Sequence, residues 1–347
     1  MSELGIVIIG RNEGDRLRRC LDSATGRGYP VVYVDSGSTD GSVELARTKE
    51  AEVVDLDMSL PFTMARGRNE GFERLVELEP GVEYVQFVDG DCELVEGWLA
   101  RGLAAMEGCP EFAVVCGRRR ERYPERTIYN RLADMEWNSP VGEARYCGGD
   151  LIIRADVFRA IGGFNASLIA GEDPDLAVRV RKAGWKILRV DADMTLHDMA
   201  MTRFSQWWRR SVRSGFAYAD GAVRHGAPPE RHWVREVRRI VVWGMALPAI
   251  LILLAWPTRG WSLLGVLIYP AQIIRIARGR ERSGMVRFDA YLFGTACVVG
   301  YFPQASGLIK YWTGWLVGRG PSLIEYKGPG GDVSAGKLGG ATAEASS

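Results

Sequence analysis

The chain carries only three histidines, and none of its six cysteines stands in a C-x-x-C pair. That argues against a zinc centre or a disulfide framework, and the thiols are expected to be reduced. An excess of charge of one sign is also missing: Lys+Arg is 44 and Asp+Glu is 43. A protein held to nucleic acid by a global basic field is therefore not expected. No basic segment precedes the first apolar run, Met1–Gly10, which is short and β-branched. It reads as a buried strand rather than a signal peptide, which leaves the amino-terminal domain in the cytoplasm. No internal repeat is present.

What the sequence does contain is alternation. Leu4–Ile9, Val31–Val34, Ala51–Leu56 and Tyr84–Val88 read as strands. Asp15–Ala24, Gly41–Arg47, Phe62–Leu78 and Trp98–Met106 carry helical spacing between and after them. This β-α order implies a mostly parallel sheet with helices on both faces. Ala113–Cys116, Leu151–Ile153 and Ile187–Val190 extend it as strands, with Asp173–Ala183 as a helix. In such sheets ligands bind beyond the carboxyl ends of the strands. Val34 leads into Asp35 and Val88 into Asp89, so two acidic clusters fall where a ligand is expected.

Three acidic features carry chemistry. They are Asp35-Ser36-Gly37-Ser38-Thr39-Asp40, Asp89-Gly90-Asp91 and Gly171-Glu172-Asp173-Pro174-Asp175. Mg²⁺ and Mn²⁺ take hard oxygen ligands, commonly one or two carboxylates with substrate phosphates and water. A cation held there would offset charge on a departing diphosphate. Each feature has a plainer reading. Asp40 caps the helix starting near Gly41, Asp175 is an N-terminal helix charge, and Arg118-Arg119-Arg120 is a solvated charge run. Glu172 is either a group orienting the base or a solvated turn residue.

Taken together and in order, the motifs resemble family 2 glycosyltransferases of the GT-A fold over about residues 4–215. They are Ile6-Val7-Ile8-Ile9-Gly10-Arg11-Asn12-Glu13, Val34-Asp35-Ser36-Gly37-Ser38-Thr39-Asp40, Ala65-Arg66-Gly67-Arg68-Asn69-Glu70-Gly71, Phe87-Val88-Asp89-Gly90-Asp91, Gly148-Gly149-Asp150, Gly162-Gly163-Phe164 and Gly171-Glu172-Asp173-Pro174-Asp175-Leu176. The resemblance implies roles. Glu13, Asp35 and Arg68 bind the nucleotide. Asp89 contacts the nucleotide-sugar and Asp91 is the metal ligand. Asp173 is the catalytic base, helped by Glu172, and the sugar is transferred with inversion. An ordinary aspartate, with pKa about 3.9, is a feeble base, so burial or a neighbouring carboxylate is needed. In this fold a histidine downstream of the base completes the metal or diphosphate site, and His197 is the candidate; a structural histidine is the other reading. The chain departs from the family at Asp35-Ser36, where adjacent aspartates are common, and at Asp150, a nucleotide-sugar-binding position where asparagine is frequent and sugar or acceptor contacts would change. Processive members carry Q-x-x-R-W. Here Gln206-Trp207-Trp208-Arg209-Arg210 lacks the final tryptophan, which puts processive polymerisation in doubt.

Beyond the motifs, Arg203–Phe216 reads as an amphipathic helix with Phe204, Trp207, Trp208, Val212 and Phe216 on one side and arginines opposite. It is expected at the lipid interface, where Gln206, Trp207, Arg209 and Arg210 would meet the acceptor. Three uncharged apolar runs follow: Ile240–Trp256, Trp261–Ile274 and Ala290–Ile309. The first amounts to about 25 Å of helix against a hydrocarbon core of ~30 Å, with Pro248 expected to kink it. The second is short enough to be the return limb of a hairpin, and the third is long enough to span. The basic segment Arg275–Arg287 then faces the cytoplasm.

The expected organisation is a GT-A catalytic domain at 1–220, a basic interface linker at 221–239, transmembrane or membrane-associated helices at 240–312, and an interfacial segment with a disordered tail at 313–347. The expected activity is transfer of a sugar from a nucleotide-sugar donor, with Mg²⁺ or Mn²⁺, to a hydroxyl of a lipid-linked or saccharide acceptor at the cytoplasmic face of the membrane. Transfer to a polyprenyl phosphate is the alternative, where the ionised nucleophile needs no strong base. A sugar-1-phosphate nucleotidyltransferase would need a glycine-rich phosphate loop that Gly10-Arg11-Asn12-Glu13-Gly14 does not supply. A non-catalytic membrane scaffold would not need both the D-x-D and the Glu172-Asp173 pair.

Overall fold

The computed structural model describes residues 3–60 and 62–317; the expected disordered tail lies outside them. The first strands are β1 (Leu4–Gly10), β2 (Val31–Asp35), β3 (Glu52–Asp55) and β4 (Tyr84–Asp89). The helices α1 (Asp15–Ala24), α2 (Ser42–Thr48) and α3 (Met64–Leu78) connect them in turn. Strands β3, β2, β1 and β4 lie side by side and parallel. β1 is apolar throughout because both of its faces are covered. Leu4, Ile6 and Ile8 enter one core with Leu17, Cys20 and Leu21 of α1. Val7 and Ile9 enter the other with Phe72 and Leu75 of α3.

The sheet then stops being parallel. After β5 (Cys92–Leu94), α4 (Trp98–Gly108), β6 (Phe112–Glu121), α5 (Ile128–Trp137) and β7 (Gly142–Glu143) come β8 (Leu151–Arg154), α6 (Ala155–Ala160), α7 (Glu172–Lys182) and β9 (Lys186–His197). β8 runs antiparallel between β4 and β6, and β9 pairs parallel with β6 and antiparallel with β5. The strand expected at Ile187–Val190 continues to His197. Its polar residues belong to a strand paired on both sides, with β6 and β5, rather than to a loop.

The carboxyl-terminal part is helical: α8 (Phe204–His225), α9 (Val234–Ile240), α10 (Leu247–Leu253), α11 (Ile268–Arg282) and α12 (Arg287–Leu316). α9 runs into α10 through a π-helical segment, Val241–Ala246. Pro248 sits in the first turn of α10, where its missing N–H costs little. The chain therefore passes the proline by a change of helical register. Among the described residues, only α12 is a helix long and apolar enough to cross a membrane. The three spans allowed by the sequence are thus reduced to one such helix and a hairpin.

α8 corrects another expectation. Its tryptophan side is packed inside the protein at Trp207. Trp207 is buried against Ala133, Met199 and Met201, with Ala296 and Val299 of α12 packed on the same cluster. Gln206 caps its own helix by accepting from the Thr202 and Arg203 N–H groups, and Arg210 pairs with Glu136. Of the four residues expected to meet the acceptor, Arg209 alone is exposed.

Candidate active site

The carboxyl ends of the parallel strands bring the motifs together. In the sheet register Gly10 of β1 lies beside Asp35 of β2, and Ile9 lies beside Asp89 of β4. Asp35 is buried. Its Oδ1 accepts the Tyr33 hydroxyl at 2.9 Å and its Oδ2 the Ser38 N–H at 2.7 Å. Asn12, in the left-handed region at φ 54°, is bound on both sides by the Ser38 and Thr39 turn. Glu13 is half-buried and paired with Arg16. This is a fixed polar rim around the end of β1.

Arg68 of α3 is the pivot. Its side chain is buried and its guanidinium lies 2.6 Å from Asp89 Oδ1, 3.1 Å from Glu172 Oε1 and 3.5 Å from Asp173 Oδ1. Burial alone would weaken its charge, but the three carboxylates hold it firmly protonated. Three motifs distant in sequence are joined by one side chain. The next residue, Asn69, does similar work in amide form. It accepts from the Phe164 N–H and donates to the Phe164 carbonyl, both at 2.8 Å, and the Phe164 ring lies under Arg68. Gly149 is required because a Cβ there would collide with the Arg68 guanidinium.

Asp173 is the second residue of α7, which starts at Glu172 after Gly171 in the left-handed conformation at φ 83°. Burial, and then the neighbouring Glu172 carboxylate, push its pKa up to about 8 against the opposing pull of Arg68. Asp89 goes the other way. Burial would raise it, but Arg68 and Arg119 overcome that and hold it well below the usual carboxylate range. Two nearby carboxylates are thus split into a permanent anion and a basic proton acceptor, the pattern by which acid and base roles are assigned.

Arg119 lies in Arg118-Arg119-Arg120, which by sequence is only a solvated charge run. Alternation along β6 is the signal that finds it, because the middle residue of three must face opposite to its neighbours. Arg118 and Arg120 pair with Asp134 and Asp193. Arg119 turns inward, 2.8 Å from Asp150 Oδ2 and 3.2 Å from Asp89 Oδ2. Asp150 is fully buried and also accepts the Asp89 N–H and the Thr195 hydroxyl. It stands behind Asp89 rather than at the open face. Asp175 is likewise more than a helix charge: it is buried, and accepts from Arg179 and bonds His225 Nε2.

Asp91 and His197, distant in sequence, meet because β5 pairs with β9. Cys92 sits opposite His197 in the register, and His197 Nε2 is 3.2 Å from Asp91 Oδ2. His197 packs edge-on against Trp137. Asp91, Cys92 and His197 offer ligand atoms within 4.8 Å of one another, all buried. A carboxylate and an imidazole leave room for phosphate and water, a donor set that suits Mn²⁺ more readily than Mg²⁺. Cys92 donates its thiol to Asp91 Oδ1 and is a soft ligand ill-matched to either ion. Asp89, Cys92 and Asp150 are equally close together, but the arginines already occupy those carboxylates.

Residues 5–164 match the family described as glycosyl transferase family 2, and residues 129–203 match that described as N-terminal domain of galactosyltransferase. Glycosyltransferase AglE of Haloferax volcanii is 27% identical over 197 residues, 53% of this chain and 63% of that protein, so the chain matches less than two thirds of AglE. Succinoglycan biosynthesis protein ExoA of Rhizobium meliloti is 26% identical over 273 residues, covering 72% of this chain and 78% of ExoA. O-antigen chain rhamnosyltransferase RfbN of Salmonella typhimurium is 23% identical over 252 residues, 67% of this chain and 75% of RfbN. Among solved structures, mannosyltransferase PcManGT from Pyrobaculum calidifontis, in complex with GDP-Man and Mn²⁺, shares the fold. Its TM-score is 0.57 at 20% identity, over 85% of this chain and 86% of that one.

Proposed function

The chain belongs to glycosyl transferase family 2 through residues 5–164, and on that premise we propose that it transfers a sugar, with inversion, from a nucleotide-diphosphate sugar to an acceptor hydroxyl. The observation that carries this reading is the Arg68 bridge, which ties Asp89 of the donor side to Glu172 and Asp173 of the acceptor side. The acceptor oxygen forms its bond to the anomeric carbon as its proton passes to Asp173 Oδ. The bond from the anomeric carbon to the diphosphate oxygen breaks on the opposite face, and the nucleoside diphosphate leaves with that electron pair. A group basic at about pH 8 accepts this proton far better than an ordinary aspartate.

The polar rim of Glu13 and Asp35 would hold the nucleoside. Arg68 and Arg119 face four carboxylates, Asp89, Asp150, Glu172 and Asp173. The pocket thus lacks positive charge to spare for a diphosphate. Asp91 and His197 would hold a divalent cation, Mg²⁺ or Mn²⁺, which when bound offsets the charge of the departing diphosphate. Asp150 keeps Asp89 and Arg119 in place. The acceptor would be a surface saccharide or its lipid-linked precursor, because two relatives are named for succinoglycan and O-antigen synthesis. The catalytic domain would then work at the cytoplasmic face of a membrane.

The test is nucleotide release from a panel of nucleotide-sugars in detergent, titrated with Mn²⁺ and Mg²⁺ and followed by acceptor labelling. Asp173→Asn is expected to lower transfer by 10³-fold or more with donor affinity nearly unchanged. His197→Ala should shift the Mn²⁺ requirement upward. Near-normal turnover of Asp173→Asn would overturn the base assignment and favour a phosphate acceptor. A His197→Ala curve superimposed on the parent's would make that residue structural.

A further inference from the structure

We infer that the membrane-inserted element of this chain is the far end of the helical hairpin, α10 and the Trp261–Leu267 turn that leads into α11, and that α12, the helix whose length and composition suit a span, lies along the membrane surface without crossing it. This rests on the membrane association in the proposed reading and not on the chemistry of the site.

α12 is committed elsewhere. Its Asp289 pairs with Arg131 of α5 near one end, and Tyr311 packs edge-on against Phe216 of α8 near the other. Between them, a Cβ added at Gly215 would collide with the backbone of Gln304, and one at Gly307 with the backbone of Val212. The two helices run in the same direction, their backbones brought together by small residues. From Asp289 to Tyr311 α12 rises about 33 Å, and both ends of that length touch the catalytic domain. α12 cannot traverse hydrocarbon without drawing α8 in beside it. α8 carries Arg209, Arg210, Arg213, Asp220 and Arg224, and charges at that depth are penalised. The apolar face α12 turns outward, with Phe302, Ile309, Trp312 and Trp315 exposed, suits a helix resting on lipid beneath the domain.

The far end of the hairpin has no such commitment, whereas at the base α11 packs along α12, with Gly294 against the Ile273 backbone and Arg280 over Phe293. There Tyr269 donates its hydroxyl to the Trp243 carbonyl, and Trp243 stacks on Tyr301 of α12. Gly244 and Met245 still meet Tyr301, Ala305 and Leu308 of α12, and past them the limbs pack on each other. Ser262 Oγ donates to the Leu251 carbonyl, and Gly265 packs on Leu251. No charged residue occurs from Val241 to Thr258. At the far end Trp256 is 93% exposed and Trp261 74% exposed, with Leu253 and Leu267 nearly as open. A ring of exposed arginines, Arg235, Arg238, Arg239, Arg275 and Arg278, surrounds the base on both limbs. The tip is apolar apart from the exposed Arg259 in its turn, which suits a hairpin whose turn reaches the far interface, and the basic collar matches anionic headgroups on the catalytic side. The hairpin goes in and returns, so the chain on both sides of it stays with the catalytic domain.

The experiment places reporters on the full-length chain in cells, one before Met1 and one after Ser347, using paired green fluorescent protein and alkaline phosphatase fusions. Both ends should report the same, cytoplasmic side: bright fluorescence and background phosphatase. Phosphatase activity from the fusion after Ser347, with a cytoplasmic amino terminus, would show that α12 crosses and would overturn the inference. A second arm uses Leu253→Asp with Leu264→Asp. This variant should move from the carbonate-washed pellet to the supernatant, most of it released, with its circular dichroism unchanged. A folded variant that stays in the pellet would equally overturn the inference. Neither readout depends on sugar transfer, so failure here leaves the transferase reading untouched.

Discussion

Arg119 and Asp173 show how much a single buried charge decides. Arg119 stands between Asp150, which is fully buried, and Asp89. Arg119→Met leaves both carboxylates without that cation, and removing one partner of a buried pair costs about 3–5 kcal/mol. The expected loss shows in urea unfolding, and Asp150→Asn in the same chain should recover part of it, since the two residues are coupled. Full additivity of the two changes would contradict the pairing. For Asp173 the sign is reversed. Its folded pKa is raised to about 8, so between about pH 4 and pH 8 the folded state keeps a proton that an unfolded aspartate, at about 3.9, gives up. The stability that belongs to this group is therefore present at low pH and lost as pH rises through 8. Asp173→Asn, which stays neutral, should melt higher than the parent at pH 9, by about 2 °C or more, the shift that ~1 kcal/mol gives in a chain of this size. At pH 4 the two should agree. A lower melting temperature at pH 9 would mean that Arg68 stabilises the anion more than burial penalises it.

At the scale of elements, the loop before α7 is held from behind by the root of the hairpin. Trp233 caps α9 in the left-handed conformation at φ 55°. Its ring fills the space over Gly171, where a Cβ would come within 3.3 Å of it, and lies against Gly221 of α8. Tyr218 and His232 pack on the same ring. Gly171 immediately precedes Glu172 and Asp173, so the wedge sets where α7 begins. Trp233→Ala should cost roughly 2 kcal/mol in stability and lower kcat about tenfold, with donor KM changed little. Trp233→Phe should restore most of the kcat. Steady-state kinetics at saturating donor separate these effects, and an unchanged kcat for Trp233→Ala would show that α7 is positioned without the wedge.

For the whole molecule, α8 is shared between the catalytic domain and the helices beyond it. Ala219 of α8 is buried with Ile240, Ala305 and Leu308, so the domain does not end cleanly at residue 220. A chain stopped after residue 226 uncovers that face and should self-associate in size-exclusion chromatography; a monodisperse monomer would show that α12 is dispensable to the domain. The sequence by itself determined a good deal. Alternating apolar runs covered on both faces marked β1, β2 and β4, and the ordered motifs marked Asp35, Asp89, Asp91 and Asp173, because strand ends and acidic turns are local patterns. It also pointed to His197 as a partner for Asp91. Only the tertiary structure decided what depends on long-range pairing. The register of β5 against β9 brought His197 to Asp91, antiparallel insertion of β8 placed Asp150 behind Asp89, and the inward face of β6 turned Arg119 from an apparent surface charge into part of the site. It also decided the setting of the apolar runs, since hydropathy measures whether a helix suits lipid, whereas α12 is fixed by what its glycines pack against.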